Sequence, residues 1–326
     1  MSRRCLATLP DAPEDVVRCL PALDALTASG RRVVALGGSE VLPLLRLAAV
    51  ELDLVPRVPV PAATRVLVSA AACDEAVILS GRLDDARLAR KAGIGRRWGY
   101  ASLLGGWFLN RRVPRPRRVA TRPVCEDARE LLDAMGAPLP PSPRPRLSVG
   151  AGLRDAARER LARARVGGDG PRVGVYPGVQ GGAGGRPWPR QRFEELVREL
   201  RRRRPAARCV LLATTEDLWS AVRVHEETGK IHPVIGPDLK LDVLAAVLGE
   251  LDAVVAAESW LLDLAAAAGT PTVGLYVRDP RRWAPPGEAH RTLHAGALAA
   301  ISVEQVVDAV VSGLGTQGGK GKRQAR

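Results

Sequence analysis

Eight short apolar runs, each bordering a stretch with helical spacing, govern what this chain can fold into. They are RCLATL, RRVVALGG, EAVILS and RRWGYA in the first part, then PRVGVYPG, RCVLLAT, DAVVAA and PTVGLYV. Continuous apolar runs of this length suit strands buried on both faces, as in a parallel sheet covered by helices. After the first run, Val16, Val17, Leu20, Leu23 and Leu26 recur near helical spacing and the pattern stops at Gly30. SEVLPLLRLAAVE reads as a second helix capped by Ser39. This is the βα rhythm of a doubly wound sheet, and it occurs twice.

The division lies in APLPPSPRPRL, residues 137–147, where five prolines continue neither a helix nor a strand. An Arg-rich amphipathic helix follows, and the rhythm restarts. We therefore expect one Rossmann-like domain over residues 1–150, a second over 151–314, and a disordered basic tail over 315–326. Open sheets of this kind bind ligands beyond the carboxyl ends of their strands.

A chain of 326 residues with 46% apolar residues has enough material for two cores. Its five cysteines are odd in number and form no C-x-x-C pair, which argues against a disulfide framework or a zinc site. The N-terminus lacks a secretory pattern and no apolar span reaches membrane length, so the expected place is the cytoplasm, in solution or peripheral on the inner membrane.

The net charge of +14 is uneven: residues 1–166 hold 28 basic against 17 acidic residues. Residues 86–122 hold eleven Lys or Arg and no acid. Such a surface is either a solvated basic face or a seat for a polyanion. Nucleic acid is not expected, because the segment shows no binding module and no interleaved aromatics.

Several motifs in order resemble glycosyltransferase family 9, the bacterial heptosyltransferases of lipopolysaccharide core synthesis. They are EDVVRCLPALDAL, ARLARKAGIGRRWGYASLLGGWFLNRRVP, VGVYPG with GGRPWPRQRFEELVREL, and AAESWLLDLAAAAGTPTVGLYVRDPRRWAPPGE. The resemblance runs from about residue 5 to residue 314. It implies the GT-B fold, in which the N-terminal domain takes the acceptor and the C-terminal domain a nucleotide-sugar such as ADP-heptose. It also implies metal-independent transfer with inversion and no cofactor. The expected partners are the nucleotide-sugar, an anionic glycolipid or phosphorylated glycan as acceptor, and the inner-membrane surface.

Carried over residue by residue, Asp15 falls at the family's catalytic aspartate, the base for the acceptor hydroxyl. Glu14 and Asp11 replace the glycines usual beside it. The alternative is an acidic helix N-terminus, where Asp11, Glu14 and Asp15 all favour the dipole. Arg186 stands where the family commonly has a Lys near the departing diphosphate. The loop before it, with Gly182 and Gly185, is either an anion nest or a plain surface loop.

At residues 258–263 the family pattern is Asp, Ser or Thr, Gly, two variable residues and His, on a helix start that receives the diphosphate. Here Glu258 and Ser259 stand first, Trp260 replaces the Gly and Asp263 the His. Trp260 blocks close backbone approach or stacks on the donor; Asp263 repels a diphosphate or is a first-turn carboxylate. Glu216 matches an acid used on the ribose, or caps a helix. His290 and His294 have helical metal-ligand spacing without a third ligand and read as surface histidines.

SLLGGWFLNRR, residues 102–112, is either core or a loop that dips into a membrane interface. The expected activity is transfer of a heptose-like sugar to a lipopolysaccharide-type or other phosphorylated glycan. The altered motif leaves two further readings, a binding or scaffold member and a transferase with a changed donor.

Overall fold

The computed structural model describes residues 3–101, 107–116, 122–168, 170–178 and 187–316. The chain divides into two compact units, Met1–Ser148 and Val149–Arg326.

In the first unit the order is β1 (Arg4–Thr8), α1 (Pro13–Ala28), β2 (Arg32–Gly38), α2 (Leu42–Leu45), β3 (Asp53–Arg57) and α3 (Pro61–Ala70). Then come β4 (Glu75–Ile78), α4 (Leu83–Lys91), β5 (Arg96–Tyr100), β6 (Arg111–Val113) and α5 (Arg129–Ala134). The strands form one parallel sheet in the order β3-β2-β1-β4-β5-β6. Leu6, Val34, Leu36, Ala76 and Ile78 pack with Val68 of α3 and Ala86 and Ala89 of α4. The predicted apolar stripe of α1, Val16, Val17, Leu20, Leu23 and Leu26, is buried as its spacing requires.

The second unit opens with α6 (Ala151–Arg163), β7 (Arg172–Tyr176), α7 (Arg190–Arg203), β8 (Arg208–Leu212), α8 (Leu218–Glu227) and β9 (Val234–Ile235). It continues with α9 (Leu241–Gly249), β10 (Ala253–Ala257), α10 (Trp260–Ala267) and β11 (Thr272–Tyr276). It ends with α11 (Pro280–Trp283), β12 (Arg291–His294) and α12 (Val303–Thr316). Its sheet is also parallel, ordered β12-β11-β10-β7-β8-β9. Val175, Leu211, Val255 and Leu275 meet Phe193 and Leu196 of α7 and Val306 and Val310 of α12. Trp188 packs edge-on against Phe193 with 4.7 Å between ring centroids, and its indole N–H donates to the Ile301 carbonyl at 3.0 Å. The tryptophan of the Trp-Pro motif is therefore a core anchor.

The eight runs of the sequence analysis become the inner four strands of each sheet. The four strands it did not mark, β3, β6, β9 and β12, are the edges. The helix expected over residues 39–51 is one turn long. Its continuation is captured elsewhere: Ala48 bridges Leu147, and Ser148 N–H donates to the Leu47 carbonyl at 2.6 Å. His290 and His294 flank or end a strand, so their helical spacing does not apply.

Candidate functional site

In a parallel sheet every strand ends on the same edge, so the loops after the carboxyl ends collect side chains from distant stretches of sequence. In the first unit this edge is dominated by paired charges. Arg57, at the end of β3, forks onto Asp85 of α4, which is almost fully buried; Nη2 also donates to the Leu9 carbonyl at 3.1 Å. Ser80 Oγ donates to Asp85 at 2.6 Å and shares a 3.1 Å hydrogen bond with Thr8. Asp11, one of the acids in place of the glycines, is engaged by Arg82 and by Arg57 Nε at 3.3 Å. The acidic loop thus has its own counter-ions, a compensation that no local pattern announces.

Asp15 lies in the first turn of α1, directly beyond β1. Its carboxylate is about half exposed and pairs with Arg18 one turn on at 3.2 Å. That geometry holds the group at the sheet edge without occluding it.

In the second unit, Ser259 is the N-cap of α10 and its Oγ accepts the Leu261 N–H at 3.2 Å. Glu258, immediately before it, has φ +40°, a conformation rare for a side chain with a Cβ. Its buried carboxylate is fully engaged. Oε1 accepts the backbone N–H groups of Val277 at 2.7 Å and Arg278 at 2.6 Å, and Oε2 meets Arg278 Nε at 3.2 Å. Arg278 in turn lies over the Trp283 ring at 4.2 Å. Glu258 therefore ties the end of β10 to the end of β11. Trp260 follows in a half-buried position, and Asp263 is buried.

Glu216 is exposed in the turn before α8, while Asp217 occupies the N-cap position. Asp217 is buried; it accepts the Thr214 N–H at 2.8 Å and the Tyr176 hydroxyl. Burial, and then the Asp217 carboxylate, push the Tyr176 phenol far above its ordinary pKa. Gly178 lies against this pair, since a Cβ there would overlap the Tyr176 ring and come within 2.5 Å of Asp217 Oδ2. Tyr176, Asp217 and Arg278 were missed by sequence reasoning. Only Asp217 left a signal, as an acid just ahead of an apolar helix.

Arg186, Gly182 and Gly185 lie outside the described residues. Trp107 is exposed and Phe108 half-buried, while residues 102–106 are also outside the described set. His294 Nε2 lies 3.1 Å from the Val277 carbonyl, and His290 Nδ1 lies 3.1 Å from Thr272 Oγ1. Among the described residues no three His, Cys, Asp or Glu side chains are grouped to hold a metal ion. No described helix is long and apolar enough to cross a membrane.

A family model described as glycosyltransferase family 9 (heptosyltransferase) matches residues 65–305. Among solved structures, the family 9 glycosyl transferase from Veillonella parvula DSM 2008 is 18% identical with a TM-score of 0.85, over 97% of this chain and 98% of that one. The E. coli ADP-heptose lps heptosyltransferase II is 20% identical at 0.80, over 96% and 99%. The E. coli heptosyltransferase WaaC with ADP is 20% identical at 0.75, over 95% and 99%. No curated protein sequence matches. At these identities the likeness establishes the fold, GT-B with two parallel α/β sheets.

Proposed function

The chain belongs to glycosyltransferase family 9, and from that premise we propose that it moves a heptose-like sugar, with inversion, from a nucleotide-sugar to an anionic glycan acceptor. In this reading the acceptor hydroxyl oxygen attacks the anomeric carbon as the bond to the diphosphate oxygen breaks. The hydroxyl proton passes to the Asp15 carboxylate, and the nucleoside diphosphate leaves with the bonding electron pair. Arg186 and the start of α10, capped by Ser259, balance the charge that develops on the diphosphate. In this reading the step draws on Asp15, Arg186 and the α10 start, and no metal is assigned to it.

The observation that carries the proposal is the start of α10. It stands at the carboxyl end of a central parallel strand, with its cap formed and its preceding loop pinned by Glu258. Helix starts in that position are ready-made anion sites. The solved relatives are described with ADP and with ADP-2-deoxy-2-fluoro heptose, which supports an adenine nucleotide as the donor's leaving group here. Glu216, exposed beside the same sheet edge, is assigned to the ribose.

Trp260 and the buried Asp263 favour a second reading, the same chemistry with a different donor. Calorimetric titration with ADP, UDP, GDP and ADP-heptose, without metal, separates the readings. Saturable binding of ADP and ADP-heptose, lost in Arg186→Ala, is the expected result. Preference for UDP or GDP selects the changed donor. Absence of binding by all four overturns the catalytic proposal and leaves a binding or scaffold member.

A further inference from the structure

Helix α3 is built inside out. Only Thr64 and Val68 are buried, and Thr64 Oγ1 is occupied with the Val58 N–H at 3.1 Å and the Val58 carbonyl at 3.2 Å. At 100° per residue, Ala62, Ala63, Val66, Ser69 and Ala70 fall opposite those two, with Arg65 on one flank and Leu67 on the other. Apart from Ser69, this outward face is apolar where a helix on a sheet ordinarily carries its polar residues. Val66 is 63% exposed, Leu67 39%, and Val60 just before the helix 60%.

The apolar face does not stand alone. Successive right-handed crossovers place α3 and α4 on the same side of the sheet, and the two helices touch. Beyond α4 lies Trp107, 81% exposed, whose carbonyl accepts from Arg90 at 2.9 Å. The guanidinium groups of Arg87 and Arg90 sit over the Phe108 ring at 5.2 and 5.8 Å. Four of the six large apolar residues exposed among the described residues therefore belong to this one layer of the first unit.

The charges around it are mainly cationic. Helix α3 carries Arg65 and no acid; α4 exposes Arg87, Arg90 and Lys91, with Asp84 already paired to Arg87 at 3.5 Å. Through residue 148 the chain has 23 basic against 15 acidic residues. Exposed apolar patches mark interaction surfaces. An apolar helix face beside a cationic one, with an exposed tryptophan beyond it, matches the chemistry of a bilayer with anionic headgroups. On such a bilayer the aliphatic side chains would meet the acyl boundary, Trp107 would settle at the interface, and the cations would lie level with the phosphates.

We propose that the α3–α4 face of the first unit, with Trp107, docks the protein on an anionic lipid bilayer. This extends the glycolipid acceptor of the proposed function but does not depend on the donor. Vesicle sedimentation of the full-length protein tests it, with phosphatidylcholine alone and with phosphatidylcholine mixed with phosphatidylglycerol. Wild type should partition onto the mixed vesicles and hardly onto the neutral ones. Val66→Glu with Leu67→Glu, and separately Arg87→Gln with Arg90→Gln, should each weaken partition about tenfold or more. Trp107→Ala should weaken it too, whereas Trp219→Ala, at the exposed tryptophan of the second unit, should partition as wild type. Equal partition of the Val66/Leu67 variant, or partition indifferent to phosphatidylglycerol, overturns the proposal. So does a wild-type dimer by ultracentrifugation that the same variant dissociates, because the face would then belong to a second copy. Nucleotide titration of these variants should match wild type, so failure on vesicles and failure of the donor reading are separate results.

Discussion

Glu258 and Arg278, twenty positions apart, are joined at both backbone and side chain. The Glu258 carboxylate takes the Arg278 backbone N–H at 2.6 Å and its guanidinium Nε at 3.2 Å. The positive φ of Glu258, a conformation costing about 1–3 kcal/mol, is held by these contacts. Glu258→Ala should lower stability by about 2–3 kcal/mol, because two backbone N–H groups and the partly exposed Arg278 guanidinium lose their acceptor. Glu258→Gln keeps an acceptor for the two backbone N–H groups and should cost about half as much. Denaturant unfolding measures both, and a wild-type midpoint for the alanine variant would show the tie to be idle.

Asp15→Asn separates the two readings of that residue. A first-turn acid contributes about 0.3–1 kcal/mol through the helix dipole and nothing to turnover. A general base contributes about a hundredfold to ten-thousandfold in rate. The asparagine variant should fold and bind donor like wild type while kcat for nucleotide release falls by at least a hundredfold. Retained kcat with a small loss of stability would assign Asp15 to the helix alone.

Gly178→Ala should destabilise the second unit by about 1–3 kcal/mol, the usual result of forcing a methyl into a packed site. The added Cβ would press on the Tyr176 ring and lie within 2.5 Å of Asp217 Oδ2. Pairing it with Tyr176→Phe, which removes the hydroxyl but not the ring, should leave most of the loss in place. Full recovery in the double variant would mean that the hydroxyl alone is the obstacle.

His232 sets a pH dependence. Burial, and then the nearby Arg201 charge, lower its pKa from an ordinary 6.5 to about 4. The unfolded chain therefore binds a proton on this ring at a higher pH than the folded protein does. Stability from this group is fully present above about pH 6.5 and declines as pH falls toward 4, by on the order of 3 kcal/mol in all. Melting curves at pH 7.5 and pH 5 should separate by less in His232→Gln than in wild type. An unchanged separation would remove His232 as the cause.

Part of the molecule was legible before any folding was known. The inner strands announce themselves because both faces of a central parallel strand are buried, which demands an unbroken apolar run such as VVAL or AVVAA. The helix start at Ser259 was legible too, from the apolar run before it and the helix-like stretch after it, whereas the bond from the Leu261 N–H to its Oγ appeared only in the structure.

Tertiary structure alone decided the rest. The edge strands DLVPR, RRV, VI and RTLH have a neighbour on one side only, so nothing in their composition demands a sheet. Residues 39–51 lost most of a helix because Leu47 and Ala48 pair with a segment a hundred residues on. The resemblance shows that Glu258 stands in place of an aspartate, but the N–H groups that meet its longer side chain come from the two residues just past β11. Sequence likewise shows the apolar residues of α3. Only the packing shows that Val66 and Leu67 face outward, because burial is a property of the neighbours a fold supplies.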